Sequence, residues 1–351
     1  MIDKYILAQF NYALPEDLIA HAPAQERDTS RLFVYDTVLD TISFDTFEHL
    51  ADYLPADSFL VLNNTKVVPA RLEVKKETGG KVELLLLVNE WREGDGAVQS
   101  LSDRKITVGQ TLTARGGFSF EVVGQQENIF LLKPSVPMPE LFLLLEEYGT
   151  TPVPRYLEPV PLSQEATRER YQSMFARRPA SVAAPTASLH FTPRVFRHLE
   201  NKGINKAFVT LHVGLGTFAP VSGKHLQEGR LHREFAAILP GEADSINKQL
   251  QEGKKLIAVG TTAARVLETR MGGKELMPGE DFTDIFITPG YTFKAIDGLI
   301  TNFHLPQSSL MMLVQALLIQ KGAQRTLKEL YEIAIQEKFR FYSFGDAMLI
   351  T

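Results

Sequence analysis

The 351-residue chain has no cysteine, which excludes disulfides, thiolate metal sites and a cysteine nucleophile together. It has one tryptophan. No stretch approaches the roughly 20 apolar residues of a membrane helix. The opening MIDKYILAQFNYALPEDL has acidic and polar breaks where a signal peptide would need an apolar run. The cytoplasm, with no membrane partner, is therefore the expected setting. There is no H-E-x-x-H, no H-x-x-x-H, no G-x-S-x-G elbow and no P-loop lysine, so metal hydrolase, serine hydrolase and nucleoside triphosphatase readings find no support. No metal site is expected.

A basic excess is missing too. The net charge is −5, from 37 basic and 42 acidic residues, which argues against non-specific coating of nucleic acid. A local basic face is still open. Arg155, Arg168, Arg170, Arg177 and Arg178 crowd one short stretch, though Glu158, Glu165 and Glu169 are interleaved. Arg168, Arg170, Arg177 and Arg178 are the candidate RNA-facing residues, and a solvated mixed-charge surface is the alternative.

What is present is ordinary for a globular chain: 44% hydrophobic and 23% charged residues. The length suits two domains. The N-terminal stretch reads as loop and short helix until the strand-length apolar run Phe59 to Leu62. Asn63-Asn64-Thr65 ends that run with turn-forming side chains. From about 70 to 150, short alternating runs (Val82 to Val88, 106–113, 119–123 and 128–132) separated by glycine turns suggest a small all-β barrel. Met138 to Tyr148 reads as its closing helix, and Trp91 as barrel packing. Beyond the proline-rich TPVPRYLEPVP, helical stretches at 193–202, 241–252, 261–271, 308–321 and 325–337 alternate with strands at 206–211, 255–259 and 283–287. The expected fold is thus an α/β layered body, residues 1–69 plus 151–351, carrying an inserted small all-β barrel domain at 70–150.

Four segments are too polar and glycine-rich for simple packing: SVAAPTASLHFT (181–192), TLHVGLGTFAPV (210–221), AVGTTAARVLET (258–269) and LITNFHLPQSSL (299–310). Each joins an extended stretch to a turn or helix, as at the carboxyl edge of an open sheet where ligands bind. In the third, Gly260 allows a tight turn, Thr261 or Thr262 can cap the helix, and its N-terminus can face an anionic ligand. Arg265 could pair with a ligand carboxylate or with a structural acid. The G-x-G of HVGLGTF lacks a third glycine and a following helix, so a loop approaching a flat ligand is the better reading, with His212 and Thr217 giving directed contacts. His190, His212, His232 and His304 lie in or near these segments, and histidine is the natural proton carrier near neutral pH. In FRFYSFGDAMLI, Arg340, Ser343 and Asp346 surround Gly345. Asp346 could be a buried base or a turn cap, and this apolar end is expected to dock into the body.

These segments, with NNTKVVPARL (63–72), GGKVELLLL (79–87), RYQSMFA (170–176), TDIFITPGYTFKAIDGLITNFHLPQSSLMML (283–313) and the C-terminal run, resemble the S-adenosylmethionine:tRNA ribosyltransferase-isomerase family of queuosine biosynthesis over nearly the whole chain. The resemblance implies an α/β body with an inserted barrel. It implies S-adenosylmethionine as co-substrate, no prosthetic group, and tRNA carrying 7-aminomethyl-7-deazaguanine as acceptor, with epoxyqueuosine-tRNA, adenine and methionine as products. A monomer or weak homodimer is expected. In that scheme His190 or His212 is the base beside the sulfonium, and Asp346 binds adenine or the methionine ammonium. Arg265 holds the methionine carboxylate. Thr217, Thr262 and Asn302 fix ribose and base, and Thr186, His304 and Arg340 complete the substrate-binding set. The chain departs from the family pattern at several edges. Ser188 and Ala180 stand where glycine is usual, Asn64-Thr65-Lys66 for Asp-Thr-Arg, and Thr167 for Asp. Pro152-Val153-Pro154-Arg155-Tyr156-Leu157 replaces P-L-P-P-Y-I, and the stretch Gly229 to Glu234 loses one histidine and one serine of the usual H-x-M-H-S-E. Such changes fit either drift or a paralogue with another acceptor. A non-catalytic RNA-binding protein on the same fold is a rival from another class.

Overall fold

The computed structural model describes residues 7–91, 94–214, 216 and 221–351. The run Phe59 to Leu62 is continuous rather than alternating because both faces of its strand are covered. Phe59 and Val61 enter one apolar cluster with Leu256 and Ala258, while Leu60 and Leu62 enter another with Ile257 and Val259. Successive strand side chains point to opposite faces, so these two strands lie at the centre of a layered body.

The sheet has nine strands, in the order Gly279–Ile285, Arg230–Ile238, Asn205–Leu211, Ser58–Asn63, Lys255–Val259, Gly298–Asn302, Ala347–Ile350, Arg31–Asp36 and Thr41–Thr46. The four from Asn205–Leu211 to Gly298–Asn302 are mutually parallel. Their carboxyl ends, at Leu211, Asn63, Val259 and Asn302, share one edge. The helices Pro193–Asn201, Pro240–Gln251, Thr261–Arg270, Ser309–Gln320 and Leu327–Gln336 fall close to the stretches expected from sequence. Thr261–Arg270 brings Ala263, Ala264, Val266 and Leu267 into the same cluster as Phe59 and Val61.

The barrel is closed and antiparallel, in the order Ile129–Pro134, Val98–Ser102, Lys81–Leu86, Arg71–Lys76, Thr111–Ala114 and Ser119–Gln126. Alternation is plain in Arg71–Lys76, where Leu72 and Val74 are buried between outward Glu73 and Lys75. The helix Met138–Tyr148 seats Leu141 and Leu145 in that core, and Trp91 is buried there as well.

Local pattern misled in three places. The stretch expected to be loop and short helix before Phe59 contains an antiparallel hairpin, Arg31–Asp36 with Thr41–Thr46, at the sheet edge. Its first strand is held by the C-terminal run, which enters the sheet parallel to it and antiparallel to Gly298–Asn302. Pairing across more than 300 residues leaves no periodic trace in either segment. Arg230–Ile238 pairs with Gly279–Ile285 at Arg230 and again from Glu234 to Ile238, with a register shift between, and its charged first half hides the strand.

Candidate active site

The strand ends are tied together by Asn63. Its Nδ2 donates to the Leu211 carbonyl at 3.0 Å and to Thr262 Oγ1 at 3.1 Å, while its Oδ1 accepts from Leu211 N and Thr65 N. One fully bonded amide thus fixes two strand ends against the start of the helix Thr261–Arg270. Gly260, at φ +85°, makes the turn into that helix, in backbone space a larger residue rarely enters. The expected cap by Thr261 or Thr262 is not formed. Both lie inside the helix and Gly260 is the N-cap residue, without a side-chain hydrogen bond. The first N–H groups therefore have no side-chain cap among the described residues, and a helix N-terminus in that state favours an anion.

This edge opens into a cavity of about 670 Å³. Gly260, Thr261, Thr262, Arg265, Thr186, Asn302 and His304 line it, joined by Glu234, His225 and His232. The barrel supplies the facing wall through Arg71, Glu83, Leu85, Leu101, Ser102 and Asp103. The expected substrate residues Thr186, Thr262, Arg265, Asn302 and His304 are thus brought together. Thr217 lies outside the described residues.

Arg265 and Glu234 form a buried ion pair through Nη1 and Oε2, and Glu234 Oε1 accepts from Gly214 N at 2.9 Å. Nε and Nη2 of Arg265 are buried with no hydrogen-bond partner among the described residues. Leaving such donors empty costs about 1–3 kcal/mol each, more for a charged group, and an incoming carboxylate is the group whose geometry fills them. Of the two alternatives left open for Arg265, the pairing with a structural acid is formed, and it leaves two of the guanidinium nitrogens unfilled.

The histidines divide. His304 lines the cavity with Nε2 2.7 Å from Thr301 Oγ1, and burial pushes its pKa down to about 3. His225 and His232 stand edge-to-face, 4.7 Å between ring centroids, and burial followed by the nearby His232 lowers His225. His190 and His212 do not line this cavity. His190 packs on Phe47 behind Asn302, with a pKa pushed down to about 4, first by burial and then by Arg340. His212 stacks on Phe235 and bonds Thr65 Oγ1 through Nδ1 at 2.7 Å.

Asp346 and Arg340 also stand apart from the cavity. The Asp346 carboxylate, 1% exposed, accepts from Arg31 N, Arg340 N, and Nε and Nη2 of Arg340. Both oxygens are thus engaged inside the fold, and Asp346 is not among the residues that line the cavity. Three of the four expected RNA-facing arginines are also engaged inside the fold. Arg168 donates to the carbonyls of Glu146 and Gly149, Arg170 to those of Ala24 and Gln25, and Arg178 pairs with Glu280. Arg177 is the exposed one of the four. Sequence reasoning missed Glu234 as Arg265's partner and the whole barrel wall. The shared cavity brings these together, and nothing in their local sequence does.

Among the described residues no group of three or more histidine, aspartate or glutamate side chains could hold a metal ion, and no helix is long and apolar enough to cross a membrane. Comparison with known proteins gives a consistent picture. The family model described as "Queuosine biosynthesis protein" matches residues 7–350. The S-adenosylmethionine:tRNA ribosyltransferase-isomerase of Carboxydothermus hydrogenoformans is 43% identical over 346 residues, covering 98% of this chain and 99% of that protein. The enzyme of that name from Aquifex aeolicus is 42% identical over 345 residues, with 98% and 99% covered. The crystal structure of S-adenosylmethionine tRNA ribosyltransferase from Thermotoga maritima aligns with a TM-score of 0.55 at 32% identity, covering 98% of this chain and 100% of that one.

Proposed function

The chain belongs to the queuosine biosynthesis protein family, and from that premise we propose that it transfers and isomerises the ribosyl group of S-adenosylmethionine onto 7-aminomethyl-7-deazaguanine at the tRNA wobble position. Epoxyqueuosine-tRNA, adenine and methionine are the products, and the setting is the cytoplasm, where tRNA is found. The observation that carries this reading is Arg265, a buried guanidinium with two unfilled N–H groups at a cavity large enough for a nucleoside with an amino-acid tail. It takes the methionine carboxylate. Thr262, Thr186 and Asn302, on the same walls, hold the ribosyl part.

The chemistry starts with loss of a proton from the carbon next to the sulfonium, whose charge stabilises the resulting ylide. Adenine leaves with the ribose C–N bond electrons, the aminomethyl nitrogen attacks, and ring closure expels methionine. The base must reach the cavity. His190 and His212 do not line it, and His304 is held neutral with a pKa near 3, too low for efficient proton removal at neutral pH. The role passes to His232, half-buried on the cavity wall against His225. The barrel wall, carrying Glu83, Ser102 and Asp103, meets the acceptor and shields reactive intermediates from water.

The test is a mass-spectrometric assay of purified protein with S-adenosylmethionine and tRNA carrying the deazaguanine, beside unmodified tRNA. Adenine release with epoxyqueuosine formed only on the modified tRNA is the expected result. Adenine release that ignores the deazaguanine would assign a different acceptor. For the base, His232→Ala is expected to lower turnover by about 10²-fold, and to slow solvent-deuterium exchange at the sulfonium-adjacent carbon equally. A loss below about threefold would remove His232 from the scheme.

A further inference from the structure

Asn302 closes the strand Gly298–Asn302 and is 2% exposed. Its Nδ2 lies 3.3 Å from His190 Nε2 and 3.5 Å from the Asp346 backbone carbonyl. A carbonyl only accepts, so the amide nitrogen belongs on that side, and His190 Nε2 is the acceptor of the other N–H. That requires His190 to be neutral, as its burial beside Arg340 ensures, with a pKa pushed down to about 4. The imidazole is seated on Phe47, 5.0 Å between ring centroids. The opposite end of the amide is different: Oδ1 is buried with no hydrogen-bond partner among the described residues, in a residue that lines the cavity. His190 does not line that cavity, whereas Asn302 does, so the nitrogen side is engaged with protein and the oxygen is the end left for a ligand donor.

We propose that Asn302 Oδ1 accepts a hydrogen bond from a ribose hydroxyl of S-adenosylmethionine, and that His190 is a positioning residue that holds the amide in this orientation. The proposal rests on the donor reading given above. The α-ammonium is a cation, better matched by a carboxylate than by an uncharged amide oxygen. Thr186, Thr261 and Thr262 bring hydroxyls to the same cavity. Hydroxyls both give and take hydrogen bonds, which suits a ribose diol better than the donor-only face of an aromatic amine. His190 is thereby removed from proton transfer and given a different task.

Calorimetric binding of S-adenosylmethionine without tRNA tests this independently of turnover. Asn302→Ala is expected to weaken binding about tenfold and His190→Ala about fivefold. The double variant should bind no more than twofold worse than Asn302→Ala alone, because His190 acts through Asn302. His190→Asn, which can still offer an acceptor, should recover most of the loss. One of the two analogues, 2′-deoxy- or 3′-deoxy-S-adenosylmethionine, should bind the wild type about tenfold more weakly and be indifferent to Asn302→Ala. Additive single losses overturn the positioning role. Wild-type protein that binds both deoxy forms as tightly as the parent overturns the hydroxyl contact, and this arm holds even if a variant fails to fold. Wild-type protein that takes up no S-adenosylmethionine overturns the proposal together with the reading beneath it, whereas normal uptake with unaltered Asn302→Ala binding overturns this proposal alone.

Discussion

Two arginines each meet a buried carboxylate, and the pairs are completed differently. Arg340 gives Nε, Nη2 and its backbone N–H to Asp346, which Arg31 N also bonds, so every oxygen is used inside the fold. Arg265 gives only Nη1 to Glu234, and keeps Nε and Nη2 buried and empty. By residue type and burial of the acid the two pairs look alike. What separates them is what remains unsatisfied: the Asp346 pair closes the junction of the C-terminal strand with the hairpin strand Arg31–Asp36, and the Arg265 pair faces a cavity. Unfilled donors, more than charge, distinguish the pair at the cavity.

The comparison breaks most directly at Arg265. Arg265→Lys keeps a cation beside Glu234 but loses the planar fork. It is expected to weaken S-adenosylmethionine binding by 10²-fold or more, with the melting temperature within a few degrees of wild type. Unchanged binding would make the Arg265 pair architectural after all. The opposite response is expected of the other pair. Asp346→Asn removes charge-assisted hydrogen bonds worth about 1.5–3 kcal/mol, discounted because Arg340 is partly exposed. Stability in chemical denaturation should fall by about 2 kcal/mol while KM for S-adenosylmethionine moves less than threefold. A tenfold rise in KM without that loss would return Asp346 to the ligand.

The neighbour of the Arg340 pair sharpens the contrast through pH. His190 and His304 are folded in neutral, with pKa values lowered to about 4 and about 3. An unfolded histidine titrates near 6.5. Between these limits the unfolded chain binds more protons, so stability falls as pH drops from about 6.5 toward 4. His190→Asn takes one such group away, and its loss of stability between pH 7 and pH 5 should be smaller than wild type's by about 2 kcal/mol. Parallel denaturation curves at the two pH values would show that His190 is not held neutral.

Much of this was legible in the sequence, and the reason differs by feature. The central strands announced themselves as apolar runs, since two covered faces demand it, and the barrel as short alternating runs between glycines. The carboxyl-edge segments stood out because Gly260, Thr262, Arg265 and Asn302 are poor core residues placed at strand ends. The shared sequence with known ribosyltransferase-isomerases supplied the family, which residue chemistry alone did not reach. Partners were the hidden part. Nothing near Arg265 points to Glu234, nothing near Asp346 points to Arg31, and the carbonyls that occupy Arg168 and Arg170 come from distant segments. His190 looked like a base from its type and motif, whereas in the fold it packs on Phe47 beside Asn302 and is not among the residues that line the cavity.

The smallest expected effect concerns a departure from the family pattern rather than either ion pair. Ala180 stands where the resemblance leads one to expect glycine, and its φ of +148° lies in the range that favours glycine. It sits in the strand Arg178–Ser181, at the register shift between Pro179 and Ser181 opposite Lys66 and Val67, just before the segment that carries Thr186 and His190. A side chain held there stores strain on the order of 1 kcal/mol, partly offset because glycine would loosen the unfolded chain. Ala180→Gly should therefore raise stability by somewhat under about 1 kcal/mol and leave S-adenosylmethionine binding within twofold, measured by denaturation and calorimetry. A stabilised variant with unchanged binding separates backbone strain at this position from the chemistry of the cavity. A destabilised one would mean that the Ala180 methyl, buried in the fold, contributes more by packing than its backbone costs.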